Sequence, residues 1–416
     1  VLSVAEAVAR ILADVPRGPV ERVGLNDALG RVLASAAISP ITIPAWDNSA
    51  MDGYAVRAAD VERASADAPV TLPVLETIAA GGFPTRPLPP GSAMRIMTGA
   101  PLPDGADTVV RVEDTDGGTA TVSVRNARDA RKNVRYRGED IREGACVLEA
   151  GTAVHAAQVG VLASIGSAQV DVYARPRVGI MTSGDELVDL DRFDEVRAGR
   201  KIVSSNSYTL DALVRGAGGI PVLVGTARDD PSDIRDRLER AAACDLIVTS
   251  AGISVGEFDH LRRVLDEMGL DLKFWRVRMR PGAPLGFGLL RGVPWIGLPG
   301  NPVSTMVTFD LFVRPAIRRM LGHERLFRRP VRVTLEEPVT IGARLTHFLR
   351  ATVRPGDDGQ LLARLTGPQG SGILTSMARA DALLIVPEER PRVEAGESAH
   401  AFLLTEDTQL DAAFTM

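Results

Sequence analysis

Four glycine-bearing loops between residues 179 and 304 carry the side chains best suited to chemistry. They read Thr182-Ser183-Gly184-Asp185-Glu186, Ser250-Ala251-Gly252-Ile253-Ser254-Val255-Gly256-Glu257, Arg280-Pro281-Gly282-Ala283-Pro284 and Leu298-Pro299-Gly300-Asn301-Pro302. Glycine turns leave backbone N–H groups open to an anion, and acids beside them can hold a hard cation. Asp185 and Glu186 suit Mg²⁺, which takes one or two protein carboxylates and completes its shell with water and substrate phosphate. The same pair would serve equally as first-turn acids of a capped helix. Asp259 lies just beyond the second loop. Arg276, Arg278 and Arg280 alternate, so on a strand all three share a face. That face is either solvated or an anion grip, since guanidinium holds phosphate and other tetrahedral oxyanions in a bidentate fork. Asp47-Asn48-Ser49-Ala50-Met51-Asp52-Gly53-Tyr54 is dense in hydrogen-bonding groups, either as a turn or as part of a site. Met94–Pro101 and Arg137–Asp140 are similar polar loops.

Other chemistries are disfavoured. The loops match neither the dinucleotide fingerprint G-x-G-x-x-G nor a P-loop, because no Gly-Lys-Ser/Thr occurs. No G-x-S-x-G elbow supports a serine hydrolase. His155, His260, His323, His347 and His400 are not at metal-ligand spacing from one another, which argues against zinc. A net charge of −5 argues against general nucleic-acid binding, which needs a basic face. Cys146 and Cys244 form neither a CxxC pair nor a disulfide framework, so a reducing cytoplasm is the simpler expectation. No apolar run approaches the roughly 20 residues of a membrane span. The N-terminus reads as a capping box, Ser3-Val4-Ala5-Glu6, ahead of a helical stripe of Val4, Val8, Ile11 and Val15, and not as a signal peptide. Only three of the 48 basic residues are lysines, a bias of composition more than of function.

The elements that must position these residues follow from periodicity. With 416 residues, two to four domains are expected. The first 40 residues read as helical, broken at Pro16 and Pro19 and ended near Pro40. Short β-type runs such as Val70–Ile78 and Thr108–Val112 then sit between Pro/Gly turns, which predicts a β-rich domain over residues 41–140. Residues 141–174, with a helix over Ala156–Ile165, would pack with residues 1–40 as a linking domain, making the β-rich segment an insertion. From 175 to 325 strand and helix alternate, predicting a parallel-sheet α/β domain. Its strands are Val178–Met181, Val222–Val224, Leu246–Thr249 and Pro294–Leu298. Its helices are Asn206–Arg215 with Asn206 as cap, Pro231–Ala243 capped by Asp230, Glu257–Met268 and Val303–Leu321. Three of the four loops follow such strands, and ligands of open α/β sheets bind at the strands' carboxyl ends. After Arg328 the period becomes two, at Val331, Val333 and Leu335, with further strands at Leu383–Val386 and Ala399–Leu403. Residues 326–416 therefore fit a small β-barrel.

Taken together, six segments resemble, in order, the molybdopterin molybdenumtransferase family, which includes the gephyrin E domain. They are Ser49–Ala55, Met97–Pro101, Gly138–Asp140, Thr182–Leu187, Ser254–Glu257 and Leu298–Ser304. The resemblance spans essentially the whole chain. It implies four domains (elongated linking, β-rich, molybdopterin-binding α/β, C-terminal barrel). It also implies a homodimer whose cleft joins the α/β domain of one subunit to the β-rich domain of the other. The implied reaction cleaves adenylylated molybdopterin in the presence of molybdate, releases AMP and leaves molybdenum on the dithiolene sulfurs, with Mg²⁺ as the metal. A molybdopterin adenylyltransferase and acceptor molybdoenzymes are candidate partners.

By position, the resemblance assigns Asp52, Thr98 and Asp140 to the β-rich side of the cleft. It assigns Ser183, Gly184, Asp185, Glu186, Asp229, Gly252, Ser254 and Asp259 to the α/β side, with Pro299, Gly300 and Pro302 at its rim. Asp52, Glu186, Asp229, Asp259, Arg276 and Arg280 are the implied catalytic residues, Asp185, Glu186 and Asp259 the implied metal ligands, and Arg350 and Ser371 the barrel's contribution. Arg276 and Arg280 stand where the family usually has lysines, Ala283 where a further lysine is expected, and Ala251 where glycine is usual. Arginine keeps the charge but donates as a planar fork, so the oxyanion preference, molybdate or tungstate, is left open. A molybdopterin adenylyltransferase-like enzyme and a gephyrin-like scaffold are the alternatives.

Overall fold

The runs Val178–Met181, Leu246–Thr249 and Pro294–Leu298 lack the polar alternation of a half-exposed strand, and all three become strands buried on both faces. The computed structural model describes residues 1–251, 260–356 and 359–405. Its chain divides into two units, one of residues 1–34, 151–155 and 169–416, the other of residues 35–150 and 156–168.

The first unit is built on a six-stranded sheet in the order Ile220–Ala227, Arg177–Ser183, Leu246–Ser250, Val293–Leu298, Pro284–Leu290, Leu270–Arg276. The first four strands are parallel, and Pro284–Leu290 runs antiparallel to both of its neighbours. From Arg177–Ser183 the chain crosses first to the neighbour on one side and then to the neighbour on the other. That reversal opens a crevice at the strands' carboxyl ends. Alternating side chains feed two cores. Val178, Ile180, Leu246 and Val248 pack with Leu210, Val214 and Val307 on one face. Met181 and Ile247 pack with Ile234, Leu238, Leu261 and Leu265 on the other.

Helix signals hold where side chains close them. Ser3 and Glu6 form the reciprocal capping box of helix Val4–Asp14. Asp230 accepts from the Asp233 N–H at 3.0 Å at the start of Pro231–Ala241. The helix expected over 257–268 is seen as His260–Glu267, its first residues falling outside those described. The single helix expected over Val303–Leu321 is instead α-helix Pro302–Thr308, a π turn Phe309–Val313 and α-helix Arg314–Met320. Pro315 cannot donate to the Leu311 carbonyl, and the wider turn ends just before it. Asn206 is not a cap: helix Ser205–Gly216 has Ser204 at that position and Asn206 lies inside it. The N-terminal helical stretch is also shorter than expected. The helix stops at Asp14, and Val20–Gly24 is a strand paired antiparallel with Gln169–Tyr173. The two prolines end the helix, and a strand partner more than a hundred residues away claims the β-branched residues that follow.

In the same unit, Thr346–Pro355, Leu361–Leu365, Val331–Leu335, Ser398–Leu403 and Ala382–Val386 pair in that order. Thr346–Pro355 also pairs with Ala382–Val386, which closes a five-stranded barrel. The second unit centres on five strands, Thr108–Arg111, Gly53–Val56, Ala93–Ile96, Val70–Ile78 and Thr121–Val124, around Tyr54, Val110 and Val122. No helix among the described residues is long and apolar enough to cross a membrane.

Candidate functional site

The crevice holds a cavity of about 420 Å³. Its walls come from the ends of three strands and two helix starts: Thr182 and Ser183, Glu186, Ser204 to Asn206, Ser250 and Ala251, and Pro299 to Pro302. Among the described wall residues, Glu186 is the one charged side chain. Gly184 makes that placement possible. Its φ is +141°, and a Cβ there would lie 2.6 Å from the Glu186 carboxylate oxygens. The Leu187 N–H donates to the Gly184 carbonyl at 3.1 Å, closing the turn that carries both acids. Asp185 is tied down on both sides. Its carbonyl accepts from Lys201 Nζ at 2.5 Å and its carboxylate from the Asp229 N–H at 3.1 Å. Asp229 therefore meets Asp185 through its backbone, and its own carboxylate is exposed.

Behind the wall is a hydroxyl cluster. Thr182 Oγ1 lies 3.0, 3.1 and 2.9 Å from the hydroxyls of Ser204, Ser207 and Thr226, and Ser204 and Ser207 are 2.7 Å apart. Asn206 donates from Nδ2 to Ser250 Oγ and to the Gly300 carbonyl, each at 2.8 Å. Thr305 Oγ1 donates to the Pro299 carbonyl at 2.6 Å. Pro302 is the first residue of its helix, where its missing N–H costs nothing.

Other expected residues sit elsewhere. Arg276, Arg278 and Arg280 do alternate as exposed side chains around buried Val277 and Met279. None of the three lines this cavity, and Arg278 pairs with Glu388 at 3.5 Å. Arg350 is fully buried, and burial pulls its guanidinium below arginine's usual value. It donates to Ser376 Oγ and to the carbonyls of Pro368, Gln369 and Gly370. Arg350 thus holds the loop that presents Ser371, whose Oγ accepts from Asn301 Nδ2 at 3.0 Å. In the second unit, Asp52 accepts from the N–H and hydroxyl of Thr98 at 2.7 and 2.8 Å, and these bonds hold its carboxyl below the usual range. Asp140 is exposed on the loop after Gly138. Gly252, Ser254 and Asp259 lie outside the described residues.

Sequence reasoning missed Ser204, Ser205, Ser207 and Thr305, and took Asn206 for a cap. The run Ser204-Ser205-Asn206-Ser207 was a usable signal, four polar residues where a buried sheet feeds a helix.

Among the described residues no group of three His, Cys, Asp or Glu side chains could cage a metal. Asp185 and exposed Glu186 still fit Mg²⁺, which needs few protein oxygens when substrate phosphates supply others. The donor set is hard oxygen throughout.

Comparison with known proteins places this architecture. Three family profiles match: the MoeA N-terminal region (domains I and II) over residues 2–166, a probable molybdopterin binding domain over 179–319, and the MoeA C-terminal region (domain IV) over 332–404. Molybdopterin molybdenumtransferase 2 of Mycobacterium tuberculosis is 38% identical over 404 residues, covering 95% of this chain and 98% of that one. Molybdopterin molybdenumtransferase of Bacillus subtilis is 34% identical over 411 residues, covering 98% and 95%. The crystal structure of the molybdopterin biosynthesis moeA protein from Pyrococcus horikoshii superimposes with a TM-score of 0.85 at 30% identity, over 97% of this chain and all of that one. With near-complete coverage at these identities and the same succession of domains, the chain belongs to the molybdopterin molybdenumtransferase family.

Proposed function

We propose that the chain is a transferase of molybdenum cofactor biosynthesis that inserts molybdate into adenylylated molybdopterin with release of AMP. The observation that carries this reading is the crevice cavity, whose described walls mix hydroxyls and amides with apolar side chains such as Leu187, Ile202 and Val203 and hold a single carboxylate, Glu186. Hydroxyls and amides suit a fused, N–H-rich ring such as a pterin. An anionic ligand would be repelled by Glu186 unless a cation intervened. Asp185 and Glu186, with Asp259, would hold Mg²⁺, which when bound supplies charge screening for a pyrophosphate. Ser183, Gly184, Gly252, Ser254 and the Pro299-Gly300-Asn301-Pro302 turn then bind and orient the substrate. Ser371 is proposed at the rim, with Arg350 as the residue that positions it. Asp52 is proposed as a catalytic residue and Thr98 and Asp140 as substrate-binding residues of the second unit, with Asp229 a catalytic residue whose N–H also braces Asp185. Exposed Arg276 and Arg280 are proposed to receive the oxyanion; whether it is molybdate or tungstate turns on their forks.

Neither an adenylyltransferase nor a scaffold is favoured, because relatives named as molybdenumtransferases match over the full set of domains. The proposed four-part division keeps residues 1–40 with 141–174, 41–140, 175–325 and 326–416. A homodimer is supported by an apolar groove of about 570 Å³ that Val4, Val8, Leu12, Phe327, Phe348 and Phe402 line.

The test supplies adenylylated molybdopterin, molybdate and Mg²⁺ to the purified protein and follows AMP by chromatography. Wild type should release AMP and yield a product that activates a molybdenum-free apoenzyme. Glu186→Gln should bind the substrate yet release AMP about a hundredfold more slowly, the scale of losing one preorganised charged group. Unimpaired AMP release by Glu186→Gln would remove Glu186 from the chemistry.

A further inference from the structure

Trp46 and Phe83 meet edge to face, with ring centroids 5.0 Å apart and planes at 67°. Both belong to the second unit and both face solvent, Trp46 at 42% exposure and Phe83 at 61%. In such a pair each ring keeps at least one face that the other does not cover. Single exposed apolar residues need no explanation, but two large aromatics held in contact at a surface do. The loops that carry them also carry Asp52 and Thr98. The Asp47 carbonyl accepts from the Leu102 N–H and the Ser49 carbonyl from the Gly99 N–H, each at 2.8 Å, so the stretch after Trp46 lies along the stretch after Thr98. Phe83 follows strand Val70–Ile78, whose last carbonyl accepts from the N–H of Met97, the residue before Thr98, at 3.1 Å. On the other side Asn48–Ser49 pairs with Val134–Arg135, and Asp47 Oδ1 accepts from the Arg137 N–H at 2.7 Å. Tyr136 and Arg137, both exposed, thereby join the same edge.

Resting on the functional reading above, we propose that Trp46 and Phe83 seat the adenine ring of the adenylyl group. Every nucleobase has a π-face, and an exposed aromatic side chain holds it by stacking without needing a fixed set of hydrogen bonds. The described walls of the crevice, proposed above for the pterin, carry hydroxyls, amides and aliphatic groups and no aromatic ring. The second unit supplies the aromatic surface, on the loops of the residues proposed there to act on the substrate. Arg137 adds a guanidinium, which stacks on a base or pairs with its phosphate. Parts of two or three rings, each about 150–250 Å² when whole, are small against the about 800 Å² that each side of a stable protein interface covers. A single planar ring matches them better.

The experiment measures dissociation constants of the full chain, with Mg²⁺ present, for AMP, adenylylated molybdopterin and ribose 5-phosphate. It compares wild type, Trp46→Ala, Trp46→Phe and Phe83→Ala, with thermal unfolding of each. Both alanine variants should bind AMP and adenylylated molybdopterin about tenfold more weakly, which corresponds to about 1.4 kcal/mol. Ribose 5-phosphate, which has no base, should bind them as it binds wild type. Trp46→Phe keeps a ring and should recover most of the affinity. AMP should quench tryptophan fluorescence in wild type but not in Trp46→Phe, where Trp275 and Trp295 are the tryptophans that remain. If the Trp46 variants do not fold, Phe83→Ala, at the more exposed of the two positions, decides the matter. Unchanged affinity for both nucleotides in both alanine variants would overturn the inference, leave the functional reading standing and point to a protein as the occupant. Equal weakening of AMP and ribose 5-phosphate would overturn it too, because a seat for the base spares the sugar phosphate. Wild-type protein that binds neither nucleotide would instead overturn the functional reading, and this inference with it.

Discussion

Ala251 holds a φ of +80°, a left-handed conformation that costs a residue with a Cβ about 1–2 kcal/mol. It stands at the end of strand Leu246–Ser250, where the site loop begins, and its Cβ is 3.1 Å from the place a Cβ on Gly300 would occupy. The two positions therefore constrain each other, and only one of them is glycine. Ala251→Gly should relieve the strain and, after the extra freedom given to the unfolded chain, raise stability by about 0.5–1 kcal/mol, read as a higher Tm in thermal unfolding. An unchanged or lower Tm would mean that the loop does not strain this residue. The identity of Ala251 was visible in the sequence as a departure from a glycine position, but the sign of its φ was not. The same limit applied to Arg350. The resemblance placed it at the barrel's side of the cleft by position alone, and only the fold shows its nitrogens donating to three carbonyls and a serine. Residue type announces which bonds are possible; which are already satisfied by neighbours from 18 to 26 residues away depends on the barrel's pairing.

Elements were legible in proportion to how local their causes are. Capping at Ser3 and Asp230, the buried runs feeding the central sheet and the period of two in Val331–Leu335 rest on adjacent residues, and the structure keeps all of them. The strand at Val20–Gly24 and the π turn at Phe309–Val313 depend on a distant partner or on one missing N–H, and periodicity does not report either. Gly53 shows the same division within one motif. The density of polar groups around Asp52 was evident, but the need for glycine beside it comes from strand Thr108–Arg111. A Cβ on Gly53 would lie 2.0 Å from the Val110 carbonyl oxygen, where no side-chain rotation can relieve the clash. Gly53→Ala must therefore push two backbones apart, at a cost of about 3 kcal/mol. Denaturant unfolding followed by circular dichroism should show the loss, and AMP release should fall with it because Asp52 directly precedes Gly53 and holds Thr98 through two hydrogen bonds. A variant as stable as wild type would show that these strands can separate freely.

On the scale of the whole molecule, two surfaces away from the crevice make demands of their own. His323 is pushed down to about 4 by burial first and then by the positive charges of Arg318, Arg314 and His155. In the unfolded chain the same imidazole takes its proton near 6.5, so the folded state binds fewer protons between those values. Stability from this group is complete above pH 6.5 and declines as pH falls toward 4, so Tm should drop from pH 7 to pH 5 and drop less in His323→Gln. The apolar groove makes the larger demand. Phe327 is 55% exposed beside the helix face of Val4, Val8 and Leu12, and Asp310 and Arg328 rim the same hollow. An exposed aromatic over a continuous apolar floor with a charged rim has the composition of an interface centre. In a twofold dimer each substitution there acts twice. Phe327→Arg places two guanidinium groups in the contact and should convert a dimer into monomers by light scattering, while subunit Tm in dilute solution stays within a few degrees. Should the variant remain dimeric at micromolar concentration, the groove is not the contact between copies. If wild type is itself monomeric, the homodimer reading falls. Monomers that retain full AMP release would show that one chain carries a complete site.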